Sequence, residues 1–399
     1  MTRYQAFTIK RYIEQFLMFP FVLLGKIIAI FYPKWDYDIY FFIPTYALGG
    51  AEFVNIKILD VLESKKVLVI FTKKSYERTA FQYFQKDNIT TIDISRFADN
   101  KLIYWANFIC RGFFANQIRK NQRACQVFIG QCNFGYKLTP HLPKKIEVLE
   151  LIHFFTNIFS NVWMPFVSFL DKRLCVSQVE IDKITHFYKA NGIAEDYNDR
   201  IKLLKLYVDI PEDIKSQKDA AGPLKVYYAG RGTSQKRLWL SFEIARKIKQ
   251  LNLPIEFHYV GSFEDELPND FYEFAKYYPP LTLGRDVYYF IKDKDILLLT
   301  SEAEGLPIVF LEAMHFGIVP MVTPVGEMKN IVEHLKDGYL LENNSENEVV
   351  QSAIQYLTEI ANNKSLLESK SLAINKKFSE NYSKSQFENT IKQFFNLTD

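Results

Sequence analysis

The sequence is poor in the residues that build metal centres and disulfide frameworks. In 399 residues it has six histidines and four cysteines, Cys110, Cys125, Cys132 and Cys175. The cysteines form no C-x-x-C pair and have no histidine at the spacing of zinc ligands. Most of them lie in apolar stretches, so we expect buried, reduced thiols. These absences argue against a disulfide-stapled scaffold or a zinc module and favour a cytosolic catalytic domain.

An excess of charge of either sign is missing as well. The 49 Lys and Arg nearly balance the 46 Asp and Glu, which leaves a formal charge of +3 at pH 7. A general affinity for nucleic acid is therefore not expected. A disordered tail is not expected either, because the hydrophobic fraction of 48% supplies large cores. At this length the chain has room for two or three domains.

One apolar run, residues 16–32, stands out near the N-terminus. It is interrupted by Pro20, Gly25 and Lys26. Its flanking cations are Arg3, Lys10, Arg11 and Lys34. About 17 residues is the lower limit for a membrane-spanning helix, and no small-residue cleavage site follows the run. We expect a helix that lies in the membrane interface, with a spanning helix or a packed core helix as alternatives.

Strand-like and helix-like segments alternate after residue 38. The predicted strands cover residues 38–44, 66–72, 89–94, 125–129, 148–152, 173–176, 201–207, 224–229, 256–260 and 295–299. The predicted helices cover residues 51–63, 75–85, 101–121, 178–191, 308–315 and 383–395. This alternation predicts an α/β fold with parallel, doubly wound sheets.

The segment from residue 295 to residue 317 is the most informative part of the sequence. Its pattern predicts a buried parallel strand, then the turn Glu304-Gly305-Leu306-Pro307, then a helix that contains Glu312. Glu304 would lie at the carboxyl end of a strand, where open α/β sheets bind ligands. The free N–H groups at the start of the helix favour an anion. These features suit a ligand with a phosphate between two hydroxyl-rich ends.

The two glutamates resemble a motif of a known enzyme family. Glu304 and Glu312, separated by seven residues, resemble the paired glutamates of family 4 glycosyltransferases, which are retaining enzymes of the GT-B fold (glycosyl transferases group 1). Gly230-Arg231, followed after four residues by Lys236, resembles the family's Gly-Arg…Lys loop. Gly49-Gly50 resembles its N-terminal glycine loop. The segment Thr323-Pro324-Val325-Gly326-Glu327 lies where the family has a small-residue turn.

The resemblance implies a GT-B architecture of two Rossmann-like, doubly wound domains that face each other across a cleft. The implied division is a membrane-associating apolar segment (1–35), an acceptor domain (36–207), a linker (208–223), a donor domain (224–380) and a C-terminal helix (381–399) that crosses back to the first domain. The implied donor is a nucleotide-diphosphate sugar, with no other cofactor. The apolar segment at 16–32 and its flanking cations suggest that the acceptor is a glycan or a lipid-linked glycan of bacterial polysaccharide or lipopolysaccharide synthesis, modified in the cytoplasm at the inner face of the membrane.

The resemblance also implies roles for single residues. Arg231 and Lys236 would stabilise the leaving diphosphate, Glu304 would contact the donor sugar, and Glu312 would accept hydrogen bonds from the ribose. His153, at the end of a predicted strand, resembles the family's histidine that lines the cleft. The implied substrate-binding residues are Gly49, Gly50, Gly230, Gly305, Leu306, Pro307 and Glu312.

The Gly-Arg…Lys loop departs from the family pattern at two positions. Gly232 replaces the usual apolar residue, and Arg237 stands where a glycine is common. Arg237 would either add a second phosphate contact or face solvent, and we favour solvent.

Two Asp-x-Asp pairs, Asp36-Tyr37-Asp38 and Asp293-Lys294-Asp295, raise the question of a metal ion. Both pairs precede their predicted strands, whereas metal-binding carboxylates of transferases should follow a strand at the active edge. We interpret them as strand-entry residues, so no divalent ion is implied.

Three other functions remain open at the level of the sequence. A glycoside hydrolase would use two carboxylates, but Glu304 and Glu312 should lie too far apart for a retaining pair. A nucleotide-sugar epimerase of the GT-B fold would share the same site. A non-catalytic scaffold is the third alternative.

A second candidate membrane surface lies at residues 101–123. The other interpretation of this segment, at least as good, is a helix with one core stripe and one solvated face.

Overall fold

Two parallel sheets organise the chain, one in each of two units. The structure, a computed structural model, describes residues 1–46, 49–75, 79–281 and 284–397. The first unit consists of Met1–Leu204 and Glu388–Asp399, and the second of Lys205–Phe387.

The described strands of the first unit form one parallel sheet. They are β1 (Ile39–Ile43), β2 (Val67–Phe71), β3 (Ile89–Asp93), β4 (Gln126–Gly130), β5 (Glu147–Ile152), β6 (Lys172–Cys175) and β7 (Ile201–Leu203). Their order is β3-β2-β1-β4-β5-β6-β7, so the chain winds outward from the β1–β4 pair in both directions. Every residue of β1 and β2 is buried, as expected for strands covered on both faces.

Helices cover this sheet and precede it. They are α1 (Arg3–Leu17), α2 (Phe19–Ile30), α3 (Gly50–Val61), α4 (Ser95–Ala98), α5 (Tyr104–Arg119), α6 (Asn133–Leu138), α7 (Asn157–Trp163) and α8 (Gln178–Asn191). In the predicted helix at 75–85, the described part is a short 3₁₀ segment, Thr79–Phe84, and residues 76–78 lie outside the described residues. All four cysteines are free, and all but Cys110 are buried.

Within the apolar run at 16–32 the structure has α2, and the chain bends by 59° at the break between α1 and α2. One face of α2 packs on α5 at backbone distance. A Cβ on Gly25 would lie 2.0 Å from the Ile109 carbonyl oxygen, and one on Gly112 would lie 2.0 Å from that of Val22. Among the described residues no single helix is long and apolar enough to cross a bilayer, although the bent pair α1–α2 reaches that length and composition together.

The second candidate membrane surface, at 101–123, is mostly core. Phe108, Phe114 and Arg111 are buried, and Arg111 lies 3.7 Å from the Glu14 carboxylate. Trp105 remains 48% exposed. The interpretation of this segment as an amphipathic core helix is therefore the better one.

The second unit repeats the parallel arrangement. Its described strands are β8 (Leu224–Arg231), β9 (Ile255–Ser262), β10 (Lys276–Tyr278), β11 (Ile296–Leu299), β12 (Val319–Val322) and β13 (Tyr339–Leu340). Its helices are α9 (Leu238–Gln250), α10 (Phe271–Phe274), α11 (Arg285–Ile291), α12 (Ile308–His315), α13 (Met328–Ile331), α14 (Glu346–Asn362) and α15 (Leu366–Asn381). The sheet order is β10-β9-β8-β11-β12-β13. The predicted α/β fold with two doubly wound sheets is confirmed.

The last helix, α16 (Lys384–Phe394), leads the chain back into the first unit. There the Phe395 ring stacks on Phe128 with centroids 5.7 Å apart, and Lys172 Nζ donates to Asn396 Oδ1 at 2.7 Å.

Candidate functional site

In the second unit, the candidate site lies at the carboxyl ends of β8 and β11. These strands are parallel neighbours, and the chain winds outward from them in both directions. This is the topological switch point, where open α/β sheets bind ligands. Gly230 and Arg231 end β8, and Glu304 follows β11.

Lys236 and Glu304 meet at this edge. Lys236 Nζ donates to Glu304 Oε1 at 2.5 Å, and Ser301 Oγ donates to the same oxygen at 2.6 Å. Glu304 is buried, and no described residue donates to its Oε2. The pair therefore presents a fixed carboxylate with one oxygen available for a hydroxyl donor. Ser301 was not predicted from the sequence, because its only signal is its position in the polar run before Glu304.

Arg231 differs from this pair because it is exposed. Its guanidinium makes no hydrogen bond or ion pair with any described residue, whereas its carbonyl accepts from the Tyr228 hydroxyl at 3.1 Å. A guanidinium held at a strand end in this way is free to bind an anion through two parallel hydrogen bonds.

The prediction that Arg237 faces solvent is wrong, because the side chain is buried and bound to the neighbouring strand end. It is buried, with a left-handed backbone (φ 46°). Its guanidinium donates to the Thr300 carbonyl at 2.8 Å and to the Ser301 carbonyl at 3.1 Å. Arg237 thus ties the start of α9 to the end of β11 and holds the two halves of the site together.

Gly232, the other departure from the family pattern, also has a structural reason. Its N–H donates to the Ser262 carbonyl at 3.1 Å. A Cβ at this position would lie 2.4 Å from Glu266 Oε1 and 2.6 Å from Phe263 Cβ. The loop therefore requires a glycine where the family usually has an apolar residue.

The turn at 323–327 packs against the backbone of the loop that carries Glu304. Gly326 has φ 57°, and a Cβ on it would lie 2.3 Å from the Glu304 carbonyl oxygen and 2.4 Å from that of Gly305. The Glu327 N–H donates to the Gly305 carbonyl at 2.9 Å. Only a glycine allows the two backbone segments to come this close, so Gly326 determines the position of the Glu304 loop.

Helix α12 begins directly after Gly305-Leu306-Pro307 and carries Glu312. No described side chain caps its start, which leaves the first N–H groups available to a ligand. Glu312 is buried and receives no hydrogen bond from a described residue, and this burial raises the pKa of its carboxyl to about 7. The Tyr227 hydroxyl is also buried without a described partner; burial and then the Glu312 charge raise the pKa of Tyr227 well above its usual value.

The first unit holds the remaining predicted residues. Gly49 is the N-cap of α3 with an extended backbone (φ −173°), and Gly50 is the first residue of the helix. Residues 47–48 of the glycine loop lie outside the described residues. His153 follows β5; its Nε2 is buried without a described partner, and burial lowers the pKa of the imidazole to about 4. His153 is therefore neutral at physiological pH.

Both Asp-x-Asp pairs lie at strand entries, as the sequence predicts, and the structure adds ion pairs there. Asp36 pairs with Lys66 at 2.9 Å, and Asp293 pairs with Lys225 at 2.8 Å. Asp38 and Asp295 accept backbone N–H groups at the starts of neighbouring strands. Among the described residues, no group of three or more His, Cys, Asp or Glu side chains could hold a metal ion.

The known proteins that this chain is similar to are glycosyltransferases. The family model for glycosyl transferases group 1 matches residues 209–370, which include the site residues of the second unit. A relative described as an uncharacterized glycosyltransferase of Haemophilus influenzae is 36% identical over 117 residues. That alignment covers 27% of this chain and 31% of the relative, so the chain spans about a third of it.

Solved glycosyltransferases share the fold over almost the whole chain. Anabaena HepE in complex with UDP and glucose has a TM-score of 0.68 at 14% identity and covers 91% of this chain and 100% of its own. The lipopolysaccharide outer core galactosyltransferase WaaB has a TM-score of 0.65 at 16% identity, with coverages of 90% and 99%. WaaG, described as involved in lipopolysaccharide biosynthesis, has a TM-score of 0.65 at 13% identity, with coverages of 89% and 99%. The chain has the GT-B fold.

Proposed function

We propose that the chain is a retaining, metal-independent glycosyltransferase that moves a hexose from a nucleotide-diphosphate sugar to a glycan or lipid-linked acceptor. The observation that carries this proposal is the Lys236–Glu304 pair at the β8–β11 switch point. Beside it, Arg231 is unpaired and the start of α12 is uncapped among the described residues. One edge thus combines positive charge for a diphosphate with carboxylates for sugar hydroxyls.

Each residue has a distinct role in this proposal. Arg231 and Lys236 stabilise the charge that develops on the leaving diphosphate. Glu304 accepts a hydrogen bond from the donor sugar through Oε2 and stabilises positive charge near the anomeric carbon. Glu312 accepts the ribose hydroxyls, while Gly230, Gly305, Leu306 and Pro307 shape the backbone around the donor. The first unit, with Gly49, Gly50 and His153, contributes the acceptor domain.

The similar structures guide the choice of substrates. HepE is described in complex with UDP-glucose, and WaaB as a lipopolysaccharide galactosyltransferase. We therefore propose a UDP-hexose as the first donor to test, and an acceptor from bacterial envelope polysaccharide or lipopolysaccharide synthesis.

The exposed apolar face of α1 and α2 supports a further part of the proposal, that the enzyme acts at the cytoplasmic surface of a membrane. Phe16, Leu17, Ile30 and Phe31 are between 61% and 83% exposed. Arg3, Lys10 and Lys34 are exposed around them, whereas Arg11 is buried and donates to the Pro165 carbonyl. Because the opposite face of α2 packs on α5, we propose that the pair lies flat in the interface instead of spanning it.

The decisive experiment is a thermal-shift screen of nucleotide sugars followed by product analysis. We expect a UDP-hexose to stabilise the protein and an added acceptor to yield a product with the donor's anomeric configuration, with EDTA present. Inversion, or activity that EDTA abolishes and magnesium restores, would contradict the mechanism. Free sugar from a simple glycoside would indicate a hydrolase, donor isomerisation an epimerase, and the absence of binding a scaffold.

A further inference from the structure

Gln131, the residue directly after β4, has an unusual backbone. Its φ of 47° lies in the left-handed region, which residues other than glycine avoid because their Cβ crowds the carbonyl group. A conformation of this kind persists only where the surrounding contacts hold it in place, and such positions cluster at functional sites.

The Gln131 side chain supplies those contacts by binding the turn after β5. Its Oε1 accepts the backbone N–H of His153 at 3.0 Å and that of Phe154 at 3.3 Å. Its Nε2 donates to the Phe154 carbonyl at 2.7 Å. Three hydrogen bonds from one side chain therefore fix the backbone that carries His153.

The His153 imidazole has no described partner of its own. Its Nε2 is buried and makes no hydrogen bond to a described residue. A buried polar atom of this kind normally has a partner, which points to a ligand or a bound water. Burial lowers the pKa of His153 to about 4, so the ring is a neutral hydrogen-bonding group.

A second unpartnered group lies at the same sheet edge. Asn55 Oδ1 is buried without a described partner and would lie 3.1 Å from a Cβ on Gly130, the residue before Gln131. Gly130 ends β4 at the β1–β4 switch point of the first sheet. Uncharged amide and imidazole groups suit a hydroxyl-rich, neutral ligand such as a sugar.

We propose that Gln131 is a positioning residue, which holds the His153 imidazole in place to hydrogen-bond a sugar hydroxyl. This inference rests on the proposed sugar transfer. The left-handed backbone directs the amide across to the neighbouring strand, where it binds the turn instead of the ligand.

The test is Gln131→Gly, which suits the left-handed backbone and removes the three hydrogen bonds. We expect an unfolding midpoint close to that of the wild type, because relief of the left-handed backbone offsets part of the loss of the three hydrogen bonds. We expect kcat to fall by tenfold or more, on the order of the loss from a displaced reacting group, with KM for the donor changed less than about twofold. Asn252→Gly is the matched control, because exposed Asn252 is also left-handed (φ 50°), and it should leave kcat unchanged.

Histidine NMR separates positioning from general stability. In Gln131→Gly the pKa of His153 should rise from about 4 toward the ordinary value of about 6.5, as the ring reaches water. Gln131→Glu keeps the acceptor oxygen and should retain most of the wild-type behaviour. Gln131→Gly combined with His153→Ala should be no slower than His153→Ala alone.

Two results would overturn the inference. One is an unchanged His153 pKa in Gln131→Gly, and the other is additive loss of kcat in the double variant. The pKa measurement needs no substrate, so it tests Gln131 even if no sugar transfer is found. Conversely, if the wild type transfers sugar but the His153 pKa is unchanged in Gln131→Gly, only the positioning role of Gln131 is refuted.

Discussion

Glu312 lies in an environment that destabilises the second unit at neutral pH. Its carboxyl is buried without a described hydrogen-bond partner, and burial raises its pKa from 4.5 to about 7. Because the folded state favours the neutral form, the group's contribution to stability is complete below pH 4.5 and is lost as the pH rises through 7. At 1.36 kcal/mol per pKa unit, the loss is about 3 kcal/mol.

Glu312→Gln should therefore separate stability from binding. We expect the variant to be more stable than the wild type above pH 7, with a flatter dependence of the unfolding midpoint on pH between 4.5 and 7. We expect UDP affinity at pH 8 to fall by roughly tenfold to a hundredfold, because ribose hydroxyls lose an ionised acceptor. Thermal unfolding and titration calorimetry measure both effects, with Glu368→Gln, an exposed position on α15, as the control. Equal pH profiles for Glu312→Gln and the wild type would contradict the buried-charge account.

Lys236 is the second residue whose replacement is informative. Lys236→Ala removes a positive charge and leaves Glu304 with Ser301 as its described hydrogen-bond donor. Turnover should fall by roughly a hundredfold or more, the scale for loss of a preorganised charge-stabilising group, and Arg231→Ala should act similarly. Lys276→Ala breaks an exposed 3.0 Å ion pair with Glu256 and should change neither kcat nor KM. Wild-type kinetics in both site variants would remove the basis for the site.

The sequence could predict that Lys236 and Glu304 approach each other because parallel neighbouring strands end at one edge. It could not predict the burial of Arg237, since an arginine in a polar loop is usually solvated. The left-handed backbone that turns Arg237 inward has no sequence signal apart from the family's preference for glycine there. Gln131 escaped notice for the same reason. The backbone conformation at these two positions depends on tertiary contacts, so the residue pattern does not predict it.

At the scale of elements, strands with continuous apolar runs were predictable and irregular ones were not. The prediction omitted β12, which contains Pro320 although it pairs with strands on both sides. Inner strands rarely tolerate proline. The break between α1 and α2 was also missed, although Pro20 lies in the first turn of α2, a position that proline favours. The packing of α2 on α5 has no such signal, because it joins segments that are distant in the sequence.

The turn at 323–327 offers a test of how an element supports the site. Gly326→Ala places a methyl group against the Glu304 and Gly305 carbonyls, so the loop must shift. We expect turnover to fall by at least tenfold and stability to fall by about 1–3 kcal/mol. Gly284→Ala is the matched control, because Gly284 also has a positive φ (108°) but has no atom of the described residues within 4 Å of a Cβ. The Gly284→Ala variant should be less stable than the wild type, but its kcat per folded molecule should be unchanged. Equal activity losses in the two variants would show that strain alone is responsible.

At the scale of the whole molecule, the packing of α2 determines how membrane contact can be tested. Deleting residues 1–35 would expose the Gly112 face of α5. It would also remove the carbonyls of Lys26 and Tyr32, which accept from Asn116 and Lys120. A deletion would therefore confuse loss of membrane contact with damage to the first unit. Substitutions on the exposed face of α1 and α2 avoid this problem.

Phe16→Ser combined with Phe31→Ser should weaken binding to anionic liposomes by at least tenfold. Both rings are more than 80% exposed, and each contributes about 2 kcal/mol when it leaves water. The control is Tyr272→Ser with Leu372→Ser in the second unit, where the side chains are 71% and 74% exposed. Cosedimentation should show normal retention for the control and, for the wild type, retention that weakens as salt rises, because each cation near an anionic surface contributes about 1 kcal/mol. If the wild type ignores liposomes at low salt, or both double variants lose binding equally, the α1–α2 face is not a membrane surface and a soluble glycan becomes the better acceptor.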